Sequence, residues 1–127
     1  MKWFVSLAAV VLLLACGSKS AEQQAMKVAQ QGYEALLEGD FDKFLSVRAF
    51  SANLPDGYRD QLLTACRQYA HQQQSVHGGW QAVEATRAQM DSTLNVMQVF
   101  LIQHYQDGTT EETVVPMVLE EGKWRLK

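Results

Sequence analysis

From about Ser20 onward, apolar residues recur at helical spacing. Met26, Ala29, Tyr33, Leu36 and Leu37 form one stripe, with Glu and Gln on the opposite side. Gly39 supplies a stop, and Asp40 can cap a short second helix carrying Phe41, Phe44 and Leu45. The connector "AFSANLPDGY" has turn residues at its centre. A third helical stretch follows, with Tyr58, Leu62, Ala65, Cys66 and Tyr69 on its apolar face, and the glycines of "HQQQSVHGGW" end it.

Beyond Trp80 the pattern changes to strands. "WQAVEATRAQMD" is the first, and "TLNVMQVFLIQHY", rich in β-branched and aromatic residues, is the strongest. "QDGT" predicts a hairpin with Gly108 at positive φ, "EETVVPMVLE" a third strand, and "EEGK" a turn into a short fourth, "KWRLK". Three helices followed by a meander predict an α+β fold, with the helices on one face of an antiparallel sheet of about four strands. Pro116 cannot donate to a ladder, so its strand is at an edge there or bulged; a bulge is expected, because curved sheets need one.

Two of these strands are apolar on both sides. Leu94, Val96, Phe100 and Ile102 point one way in the second strand, and Met97, Val99 and Leu101 the other. In the third, Val114 and Val118 share a face, while Val115, Met117 and Leu119 take the opposite one. A sheet with helices on one side and water on the other should alternate apolar with polar. Something must therefore cover the second face: another subunit, another protein, or the sheet curling around a cavity. Large exposed apolar patches are uncommon in monomers, so a partner is the economical choice. Met97, Val99, Leu101, Val115, Met117 and Leu119 are the candidate sheet interface, either of a homodimer or with an envelope protein.

The N-terminus changes the picture most. Met1-Lys2-Trp3 supplies a positive charge, and Phe4 to Ala15 is an apolar run broken only by Ser6. That is too short for a stable membrane helix, which needs about 20 apolar residues, and fits a secretory signal. The following Leu13-Leu14-Ala15-Cys16-Gly17 resembles the lipobox of bacterial lipoproteins, with Leu14 less usual than a small residue at its position. The resemblance implies cleavage before Cys16 and lipidation of its thiol, usually with acylation of the new amino terminus. Two or three acyl chains hold a protein on a membrane lastingly where one does not. Gly17 rather than Asp implies release to the outer membrane of a Gram-negative cell, facing the periplasm. The expected organisation is a signal over residues 1–15, a lipidated tether over 16–24 and one domain over 25–127.

With Cys16 a thioether, Cys66 has no partner in the chain, which holds two cysteines. Its spacing from Leu62 and Tyr69 predicts a small buried hydrophobe. The 127 residues have room for one domain. The first 15 carry a single charge, Lys2, so of 14 acidic and 11 basic residues the remainder keeps 14 and 10, net −4. That balance argues against nucleic acid, which needs a basic stripe.

The helices with "YEALLEGDFDKFLS", the tryptophan opening the first strand, and the closing "VLEEGKWRL" together resemble the nuclear transport factor 2-like (NTF2-like) superfamily, and more narrowly bacterial lipoproteins carrying one such domain. The resemblance implies a curved sheet wrapped around a long helix as a cone, often with a pocket at the open end, and often a dimer through the sheet's outer face. Some members are isomerases, dehydratases or hydrolases using a pocket Asp or an Asp/His pair.

The chain offers few groups for such chemistry. His104 lies on the face of Phe100 and Ile102 with Gln98, and Tyr33 and Trp80 could share a pocket with it. Asp91 reads as a turn residue and Asp40 as a helix cap. Gln98, the one polar residue in "VMQVFLI", either bonds locally or faces a ligand. His71 and His77 are not at a helical metal-ligand spacing, no Cys/His cluster suits zinc, and no glycine-rich loop cradles a phosphate. No cofactor or metal is expected. The expectation is a non-catalytic binding or interaction module, with a pocket enzyme or a carrier of a small apolar ligand as alternatives.

Overall fold

The structure, a computed structural model, describes residues 20–127. The signal, Cys16 and residues 17–19 of the expected tether lie outside them. Helix α1 (Ala21–Glu38) begins earlier than residue 25 because Ser20 caps it. The Ser20 hydroxyl accepts from the Gln23 N–H, and the Gln23 side chain accepts from the Ser20 N–H in return. Gly39, at φ 79°, closes the helix in the left-handed conformation that glycine adopts freely. Asp40 caps α2 (Phe41–Ser46) by accepting from the Lys43 N–H. A 3-10 turn (Ser51–Asn53) leads to α3 (Tyr58–His77).

The four strands are β1 (Trp80–Asp91), β2 (Val96–Tyr105), β3 (Thr110–Glu120) and β4 (Lys123–Leu126), antiparallel in sequence order. Each edge is capped in part. The Gln30 amide of α1 donates to the Val83 carbonyl and accepts from the Ala85 N–H, each at 2.6 Å, along β1. On the far side, residues 47–49 exchange backbone bonds with Leu126 of β4.

The expected bulge at Pro116 is absent: β2 and β3 pair without a register shift. The edge alternative holds instead. The Pro116 carbonyl accepts from the Lys127 N–H, so its donorless nitrogen faces β4 just as that strand ends. The bulges are in β1, at Gln81 and Thr86. The second flips the strand's parity. Ala85 lies opposite Leu101, yet Arg87 lies opposite Phe100, so Ala88 returns to the core side while Arg87 points away.

The sheet interface read from the sequence is also corrected. Met97, Val99, Leu101, Val115 and Met117 are 0–4% exposed and pack beneath α1, so this face is the core; of the six, only Leu119 is exposed. Ala25, Ala29 and Gly32 let the helix approach the sheet closely, and a Cβ at Gly32 would meet Val47 at 3.2 Å and Leu126 at 3.4 Å. Each fully buried core side chain contributes about 1.5–3 kcal/mol. The free face carries Phe100, Ile102 and His104, half-buried, and Val114, exposed. The Arg87 guanidinium lies 3.5 Å from the centre of the Phe100 ring and screens part of it.

Candidate functional site

The four residues proposed to share a pocket fall on opposite faces of the sheet. Trp80, opposite Tyr105, faces the helices, and Tyr33 approaches the same side from α1. Gln98 and His104 lie on the outer face. Gln98 bonds locally, donating to Asp91 Oδ2 at 3.1 Å, and His104 Nε2 stands 3.5 Å from Glu84. Asp91 also accepts from the Thr93 and Leu94 N–H groups, as a turn residue should.

The inner face instead gathers polar groups around Gln103, which is fully buried. Its Oε1 accepts from Trp80 Nε1 at 2.7 Å, with the Tyr105 and Tyr69 hydroxyls donating from 3.3 and 3.4 Å. Its Nε2 donates to Thr113 at 2.7 Å. The aromatic donors thus fix the amide's orientation, and both of its ends are satisfied without water. The alternation Met97-Val99-Leu101-Gln103-Tyr105 carried the signal for this residue: it continues the inward row by two.

Beside this network, α1, α2 and α3 border an open, shallow hollow of about 270 Å³. Its walls are Leu36, Phe44, Leu62 and Ala65, and its polar groups are Tyr33, Arg48, Cys66 and Tyr69. Tyr33 meets Phe44 edge-on at 6.1 Å, and Tyr69 leans on Trp80 at 5.8 Å. Burial, then the neighbouring Tyr69, pushes the Tyr33 hydroxyl up to about 12 against the opposing pull of Arg48. Burial also raises the Tyr69 hydroxyl and the Cys66 thiol. Cys66 is a free, buried thiol whose raised value keeps it protonated, as a packing residue's would be. Arg48 and Leu62 also line a second hollow of about 300 Å³, completed by Leu45, Ala49, Phe50, Leu54, Tyr58 and Lys127. Among the described residues, the one hydrogen bond from the Arg48 guanidinium is a 3.5 Å contact with the Lys127 carbonyl.

An aspartate–histidine pair escaped the sequence reading. His77, the last residue of α3, stacks on Tyr105 at 3.9 Å, and its Nδ1 lies 3.0 Å from Asp107 in the β2–β3 turn. Hydrogen bonds from the Thr109 hydroxyl and N–H, then from His77, hold the Asp107 carboxyl down to about 2. The Asp107 N–H donates to the His77 carbonyl, so the group clamps the end of α3 to the hairpin. Neither residue lines the hollow. Among the described residues, no three His, Cys, Asp or Glu side chains converge on a point suited to a metal ion, and no helix is long and apolar enough to cross a membrane.

No family model and no curated protein matches the chain. Among solved structures, the 2.00 Å crystal structure of a Campylobacter jejuni protein provisionally named an NTF2-like transpeptidase is similar to it, with a TM-score of 0.62 at 12% identity. The alignment covers 79% of this chain and 94% of that one. At such identity the likeness is one of architecture alone: three helices and a curled four-stranded antiparallel sheet, the NTF2-like fold.

Proposed function

We propose that the protein is a cell-envelope lipoprotein, anchored through Cys16, whose domain is a non-catalytic binding module. Its ligand is a small amphipathic molecule with an apolar body and an anionic or hydrogen-bonding head, seated where the three helices meet. One observation carries the reading: the Arg48 guanidinium opens onto two apolar hollows with only a long contact to a backbone carbonyl. A cation in such surroundings is matched by a ligand that brings a negative charge or an acceptor. The Tyr33 hydroxyl, pushed up to about 12 by burial, is a protonated donor beside it at neutral pH. The Gly17 that follows Cys16 favours the outer membrane, periplasmic side, in a Gram-negative cell.

Native mass spectrometry of gently purified residues 17–127 tests the reading. The expected result is a reproducible small adduct, one per chain, lost in Arg48→Leu. Bare chain from both proteins would count against a resident ligand. The same spectra address a second reading, pairing of two copies through the outer sheet face, which the apolar Phe100, Ile102 and Val114 favour. A dimer abolished by Phe100→Asp would support it.

A further inference from the structure

Three exposed apolar side chains gather at one end of the domain. Seven large hydrophobic residues stand out from the described surface, and three of them, Met90 (46% exposed), Leu94 (62%) and Leu119 (60%), lie where α1 begins. The topology places them together. Met90 pairs with Met97 at the last turn of the β1–β2 hairpin, Leu94 is in that turn, and Leu119 follows the final β2–β3 pair, Met97 with Met117. Helix α1 is oriented by contacts at both ends. Gln24 and Val28 line one surface cavity with Gly122 and Trp124, whereas Leu36, Leu37 and Gly39 line another with Trp80 and Gln106 at the opposite end. The N-terminus of α1 therefore emerges beside Leu94 and Leu119.

Cys16 precedes the helix cap Ser20 by four residues, and four residues span at most ~14 Å. The headgroup layer on each side of a bilayer is about 5–8 Å thick. A lipidated Cys16 therefore holds this end, and no other, against the headgroups. We propose that the domain docks on the lipid surface of its own membrane through Met90, Leu94 and Leu119. The proposal rests on the lipid anchor proposed above. Charge does not drive the contact. Lys27 and Lys123 lie at the same end as Glu22 and Glu121, Lys19 in the tether adds a single cation, and the remaining carboxylates there are engaged: Asp91 with its own turn, and Glu120 with the Phe50 N–H at 2.9 Å. Insertion of apolar side chains is then the binding force, and it should be indifferent to salt and to anionic lipid. With this end down, Val76, near the end of α3, lies at the opposite end of the domain although it is as exposed as Leu94, 63% against 62%.

The test uses the full lipidated chain with Cys66→Ala, reconstituted in phosphatidylcholine vesicles, with an environment-sensitive fluorophore on Leu94→Cys or, separately, on Val76→Cys. The expected result is quenching by headgroup-region quencher lipids at least threefold stronger at position 94 than at 76, unchanged between 50 mM and 500 mM salt. Equal quenching at both positions, in protein that carries the acyl mass on Cys16 and floats with the vesicles, would overturn the docking and leave the anchor standing. Absence of the acyl mass would overturn the anchor and the docking with it.

Discussion

The two faces of the sheet are built from similar residues and have different fates. Along β2 the inward row is Met97, Val99, Leu101, Gln103 and Tyr105, all at most 1% exposed; the outward row starts with Val96, buried beside the hairpin, and continues with Gln98, Phe100, Ile102 and His104, all half-buried. Within one strand the hydrophobic content does not say which row lies under the helix. The cross-strand register does. Partners of the outward row include Glu84, Arg87 and Glu112, whereas the inward row pairs with Val83, Ala85, Ala88, Val115 and Met117. The face that is apolar across all its strands becomes the core. The other is apolar only along β2 and β3 and shields its largest ring with an arginine.

Mutations should separate the faces sharply. Val99→Asp puts an unpaired charge under α1 and should cost more than about 4 kcal/mol, enough to abolish the fold by circular dichroism. Phe100→Asp, one residue away and beside Arg87, should cost less than about 1 kcal/mol in urea titration. Equal losses would break the comparison. A smaller contrast concerns polar residues. Gln103→Leu strands the Trp80 and Tyr105 donors and should cost about 2–4 kcal/mol, whereas His104→Ala on the outer face should stay within about 0.5 kcal/mol.

Titration sharpens the contrast further. Of four tyrosines, Tyr33 and Tyr105 are each raised to about 12, chiefly by burial. Their folded values exceed the unfolded value of about 10. The stability they contribute is therefore complete below pH 10 and lost between pH 10 and 12. An absorbance titration should show Tyr33 and Tyr105 ionising last, with Tyr69 also late, followed by alkaline unfolding. The smallest effect is expected at the clamp. Asp107 is depressed to about 2 from an unfolded value of about 4, so its contribution is complete above pH 4 and lost as pH falls toward 2. Asp107→Asn should remove that part of the acid-side loss, measurable as a flatter melting temperature between pH 4 and 2.

Much of the fold was legible because local chemistry fixed it. Ser20, Gly39 and Asp40 mark the helix ends, Gly108 the hairpin turn, and the change of period at Trp80 the start of the sheet. What escaped was long-range. The bulge at Thr86 leaves no turn residue in the sequence, yet it decides which side Arg87 takes. Pro116 looked like a bulge because the length of β4, which gives the proline its edge, is not set locally. The pocket grouping failed for a related reason. Gln98 and His104 share a parity that pairing assigns to the outer face, while Gln103, one residue from His104, is the buried hub. Arg48 follows α2 in a stretch that no periodicity marks, and a bridge to Leu126 together with the packing of α1 and α3 brings it to Tyr33 and Cys66.

The central claim is that the hollow where the three helices meet, at Arg48 and Tyr33, is where this domain binds. The most direct measurement is a two-dimensional amide NMR titration of residues 17–127 with octanoate, a small amphipathic anion used as the probe. The account predicts saturable shifts at Tyr33, Arg48, Leu62, Cys66 and Tyr69, none at Phe100, Ile102 or Val114, and loss of the shifts in Arg48→Leu. Shifts confined to the outer face, or a titration that Arg48→Leu leaves unchanged, would contradict it.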